Sequence, residues 1–140
     1  MTLQASSSVG MLGNASSSNS IPALQPASVY TPDFSFDSGS LAAHKAAFGY
    51  SVEASATNDL ATAWKDNGSV CGGAGVSDTP DKCWLNASTT AVNILYTTGP
   101  TLSSGSTSTL KFRVVVQPLP TPMLPSDIYV ATSTITITGN

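Results

Sequence analysis

The chain has 140 residues, a formal net charge of −3 and only 9% charged residues, whereas serine and threonine together number 39. Five basic residues scattered singly give no cationic footprint for nucleic acid or an anionic membrane surface. No stretch approaches the ~18 apolar residues of a membrane span, and a surface kept wet by hydroxyls suits an extracellular protein better than a cytosolic one. The length fits one domain with a real core. No basic-then-apolar leader opens the sequence, so an export signal is expected to lie outside these residues.

Residues 1–12 alternate. Met1, Leu3, Ala5, Val9 and Met11 take the odd positions and polar residues or glycine most of the even ones, which is a strand pattern. The polar run Gly13 to Ser20 then reads as a flexible tether. Two arrangements are open on pattern alone. The strand can open the domain's own sheet, or it can be a donor strand that reaches a neighbour.

Residues 21–140 read as a single domain. Pro22, Pro26 and Pro32 break the next stretch into edge strands or extended crossings, with short apolar pieces at Ala27–Tyr30 and Asp33–Phe36. Leu41 to Ala47 has helical propensity but is long enough only for a turn. Phe48 to Ala56 alternates as a strand, with Phe48, Tyr50, Val52 and Ala54 on one face. Thr89 to Thr98 is another, with Val92, Ile94 and Tyr96 expected inward.

Between these strands lies an irregular region with both tryptophans, Trp64 and Trp84, and both cysteines. Cys71 and Cys83 close a short Gly-rich loop, and a disulfide is the simplest use of them; on the chain-entropy model it is worth about 2–3 kcal/mol. With two cysteines and one histidine, a four-ligand zinc site is not available. Asp59, Asp66, Asp78 and Asp81 could gather around the loop for calcium, but their spacing matches no calcium loop, and aspartates serve turns for their own reasons. No cofactor or metal is expected. The tryptophans could form a sugar platform, but tryptophan beside a cysteine bridge is usually core.

The end of the chain carries the clearest strands. In Leu110–Gln117 the even positions Phe112, Val114 and Val116 are apolar. In Tyr129–Thr138 Tyr129, Ala131, Ile135 and Ile137 form one face and mostly threonine the other. Four prolines between them make the link an extended loop. Alternating strands with almost no helix and Pro/Gly/Ser turns predict an all-β antiparallel sandwich, Ig-like or pilin-like, with a jelly-roll-like variant allowed.

His44, the one histidine, sits in an alanine-rich turn with no nucleophile context, and no Gly-x-Ser-x-Gly elbow occurs, so an enzyme is not expected. Sequons at Asn14, Asn67 and Asn86 are N-glycosylation candidates, although about two arise by chance at this composition. A sandwich lacking one strand exposes an apolar groove and an unpaired edge, and a neighbour's strand can fill both. Phe112, Val114, Val116, Tyr129, Ile135 and Ile137 are the expected acceptor groove or core.

The run Leu110–Val116, the proline-rich link and Leu124–Ile137 resemble the ending of many secreted bacterial and archaeal sandwich proteins: pilin-like and spore-coat-U-like domains, and fibre subunits such as TasA-like biofilm proteins and archaeal bundling pilins. Ser126-Asp127-Ile128 stands where that pattern usually has Ala-Gly-Thr. The resemblance implies an exported fibre subunit at the cell surface. Its partners would be identical subunits linked head to tail by donor-strand complementation, with host or cell surfaces beyond them. The alternative is a monomeric secreted adhesin or carbohydrate-binding domain whose N-terminal strand pairs within its own sheet.

Overall fold

A computed structural model describes residues 2–7, 10–24, 30–31, 46–54, 59–67, 70–72, 82–97, 99, 105, 107–117 and 123–139, with the backbone alone for 2–7 and 30–31. The architecture is all-β. Among these residues ten strands run in the order β1 Thr2–Ser7, β2 Met11–Gly13, β3 Ser20–Ile21, β4 Tyr30–Thr31, β5 Ala46–Ala54, β6 Trp84–Asn86, β7 Val92–Tyr96, β8 Ser108–Val116, β9 Tyr129–Val130 and β10 Ser133–Thr138. A 3-10 turn, Thr62–Trp64, precedes β6. Every strand ladder is antiparallel, in three sheets ordered β10-β1-β7, β3-β2-β9 and β4-β6-β5-β8.

The organising strand is β5, paired with β8 over nine positions from Ala46↔Val116 to Ala54↔Ser108. Its even residues Phe48, Tyr50 and Val52 are large and buried. Opposite residues of an antiparallel pair share a face, so Val114, Phe112 and Leu110 stand beside them on the core side. The odd residues Ala47, Gly49 and Ser51 are small, and that other face is covered too. Trp84, Val115 and Leu24 pack there with Ala47, and the Arg113 guanidinium lies 4.3 Å over the Trp84 ring. Small residues in β5 leave the room that this tryptophan needs. The Lys111 ammonium meets the Glu53 carboxylate at 2.6 Å along the same ladder.

The largest apolar cluster joins sheets β4-β6-β5-β8 and β10-β1-β7. It unites Tyr50, Val52 and Leu85 with Ile94, Leu95, Leu60 and Trp64. A second joins β5 to β3 through Ile21, Ala23 and Phe48, with Met11 and Tyr129 packed against it. Trp64 donates its indole N–H to the Asn93 carbonyl at 2.9 Å, and its ring centroid lies 5.5 Å from that of Tyr50. Both tryptophans are about 1% exposed and belong to the core, so neither offers a sugar platform. Cys71 and Cys83 form the disulfide, with Cα atoms 5.8 Å apart, and it fastens the segment after the 3-10 turn to the start of β6.

Three expectations change. The segment 1–12 is two strands. It breaks at Gly10, whose φ of +79° is a left-handed conformation that L side chains avoid and whose missing side chain would run into the Ile21 carbonyl. Its partner breaks at the same level, at Ala131 and Thr132, so a paired ladder turns a corner from one sheet into the next. Ala46 and Ala47 open β5 and take no part in a helix, because the sheet supplies backbone partners that a seven-residue helix could not. Tyr96 is 52% exposed, not inward. Along β1, Gln4 pairs with Asn93 but Leu3 pairs with Leu95, so Ile94 is the extra residue of a bulge. Ile94 and Leu95 are therefore both buried, and the alternation beyond them is inverted.

Candidate assembly site

Exposed apolar side chains concentrate on a few strands. Of the ten large exposed hydrophobic residues among the described ones, Leu12, Phe112, Val114, Met123, Ile128, Val130, Ile135 and Ile137 belong to β2, β8, β9, β10 or the segment leading into β9; Val70 and Tyr96 are the exceptions. A run of this kind on a monomer marks a place where another surface docks.

The strands β8 and β10 are edges among the described residues, each ending the order of its sheet. On β8, Phe112 and Val114 occupy the face that carries the core. The Phe112 ring centroid lies 6.0 Å from that of Phe48 and 6.4 Å from that of Tyr50, yet Phe112 and Val114 remain 48% and 41% exposed. On β10, Ser133 faces a cleft of about 460 Å³ that Met11, Phe48, Phe112, Tyr129, Val130 and Ala131 also line. Alternate residues share a face, so Ile135 and Ile137 follow Ser133 on that side, 54% and 67% exposed. The residues expected as acceptor groove or core thus divide. Val116 and Tyr129 are half-buried against the second cluster, while the other four are uncovered.

The expected donor residues also divide. Leu3 and Ala5 lie on β1, which closes back into its own chain between β10 and β7, with Leu3 opposite Ile137 and Ala5 opposite Ile135. Met11 lies beyond the Gly10 corner, on β2, and lines the cleft. Met1 and Val9 fall outside the described residues.

The polar run after β2 is not a loose tether. Asp127, just ahead of β9, gathers it. One carboxylate oxygen accepts the Ala15 N–H at 2.9 Å and the Ile128 N–H at 2.7 Å; the other accepts the Asn19 side-chain amide at 2.9 Å. The Asn14 N–H donates to the Ile128 carbonyl and the Gly13 N–H to the Asn19 carbonyl, both at 2.8 Å. These bonds hold the Asp127 carboxyl below its ordinary value of 3.8, led by the Ala15 N–H and then the Asn19 amide. A side chain at Gly13 would strike the Asp127 carboxylate. Sequence reasoning missed this site; its signal was an aspartate in a Pro-Ser-Asp turn.

Elsewhere, Asn14 and Asn67 are exposed and Asn86 is half-buried within β6. Asp66 is buried, Asp59 is half-buried, and Asp78, Asp81 and His44 fall outside the described residues. Among the described residues no three carboxylate, histidine or cysteine side chains come together to hold a metal ion, and no helix is long and apolar enough to cross a membrane. The chain matches no family model, no curated protein and no solved structure.

Proposed function

We propose that the chain is a β-sandwich structural subunit of an extracellular filament, without catalytic activity, joined head to tail by donation of β1 to a neighbouring copy. The observation that carries this is the open side between β8 and β10, where apolar side chains on the core-facing side of two edge strands stay half-exposed. Exchange of β1 between copies remakes the same ladder with the neighbour's β10 and β7, so it costs little in pairing. What is newly gained is cover for the cleft, which lies at Met11, next to the corner where the arm would leave its own domain. Apolar area buried there stabilises at about 25 cal/mol per Å². A one-way exchange does not close on itself and propagates as a fibre. The hydroxyl-rich, weakly charged composition suits dense packing outside a cell, and the resemblance of the last thirty residues to exported fibre subunits points the same way.

The closure of β1 within its own chain favours a second reading, a monomeric secreted adhesin or carbohydrate-binding domain. Its ligand would stack on Tyr96, which with Lys65, Asn93 and Thr62 lines a hollow of about 380 Å³. Electron microscopy and light scattering of the purified chain across a wide concentration range separate the two. Fibres or concentration-dependent oligomers support the subunit; a homogeneous monomer throughout supports the single domain.

A further inference from the structure

We propose that Asp127 is an acid-sensitive latch that fixes the N-terminal arm, residues 2–19, to the C-terminal strands and so sets whether β1 stays docked on its own chain. The arm beyond the Gly10 corner is weakly held by its sheet alone. β2 has three residues and makes two ladder pairs with β3 and two with β9. Strands this short are marginal without further anchors. Asp127 supplies them at the point where the ladder would fray: after Gly13↔Tyr129 the chain continues with the Asn14 N–H on the Ile128 carbonyl and the Ala15 N–H on the Asp127 carboxylate. One side chain thus ties three points, residue 15, residue 19 and the entry to β9. The missing side chain at Gly13 lets the carboxylate approach this closely.

The partners of the carboxylate are all donors, so the ionised form accepts them more strongly than the protonated one. A protonated acid, or an asparagine in its place, turns a donor toward one of them. The 14–19 loop carries no ionisable side chain, and Tyr129 on β9 is the titratable neighbour among the described residues. No other charge there compensates. Opening the latch loosens β2, and the β1 ladder is then held from its far end alone. The consequence for assembly rests on the strand-exchange proposal; the latch itself stands on these hydrogen bonds.

Hydrogen exchange on the full chain tests it, read as protection factors at pH 7 and pH 3. In the native chain acid is expected to lower protection of residues 3–7 and 13–19 by about threefold to sevenfold, with β5 and β8 unchanged. Asp127→Asn is expected to show the lowered protection already at pH 7 and no further acid effect. Native-like protection of both segments in Asp127→Asn at pH 7 overturns the latch. If the variant loses β5 and β8 as well, the native chain decides. The Ala15 and Ile128 amide shifts and the protection of 3–7 must then follow the Asp127 carboxyl titration with one midpoint, and separate midpoints overturn it. A variant with a freed arm that stays monomeric at every concentration upholds the latch and removes the exchange proposal.

Discussion

At the scale of single residues, Gly13 and Asp127 make one contact from two sides. A Cβ at Gly13 would strike the carboxylate and lie 2.8 Å from the Ser16 carbonyl oxygen and 2.9 Å from the Asn19 Cβ. Gly13→Ala is therefore expected to destabilise the chain by about 1–3 kcal/mol, measured by denaturant unfolding. The pH dependence follows from the sign of the Asp127 shift. Its folded value lies below its ordinary one, so its contribution is present above the ordinary value of 3.8 and is lost as pH falls through the depressed folded value. Thermal unfolding should have an acid limb in that window, and Asp127→Asn should flatten it. Cys71 and Cys83 act through the unfolded chain. Replacing both by serine should cost about 2–3 kcal/mol, the loop-closure entropy that a cross-link over a sequence separation of 12 removes from the unfolded chain.

At the scale of elements, β10 presents Ile135 and Ile137, which are too exposed to stabilise the lone chain much. Ile135→Lys with Ile137→Lys should move its unfolding free energy by no more than about 0.5 kcal/mol each, since both side chains are half-exposed or more. Light scattering of the same variant should show assembly abolished, because charges then line the surface to be covered. Much of this was legible in the sequence. Period-2 alternation located β5, β7, β8 and the C-terminal strands, and the spacing of Cys71 and Cys83 located the disulfide. The inversion of β7 was not legible, because a bulge at Ile94 is set by the partner strand and leaves no local composition signal. Nor was the corner at Gly10, whose glycine sits among residues that alternate on both sides of it. The polar run 14–19 looked loose for a related reason. Its partner lies 112 residues away at Asp127, and no local pattern announces a contact so distant. Trp64 and Trp84 were legible as core from their place beside the cysteine bridge, and both are buried.

At the scale of the whole molecule, the chain brings its two ends together. β1 and β2 run antiparallel to β10 and β9, turning one corner together, so the first strand is held between the last strand and β7. β1 closes its sheet within the chain and leads into β2 through Gly10, whose backbone is left-handed; under the proposal it is the strand that a neighbour would receive. The apolar cleft at that junction is what two copies would gain by sharing it.

The most direct measurement is a cross-link across that ladder. Leu3 and Ile137 are opposite one another on β1 and β10, at a separation an antiparallel pair can bridge by a disulfide. The double variant Leu3→Cys with Ile137→Cys is assembled reduced, oxidised, and run on a denaturing gel without reductant. Strand donation predicts a ladder of covalent multimers that collapses to monomer on reduction. A single monomer band at every concentration, with the new bond formed inside each chain, would contradict it.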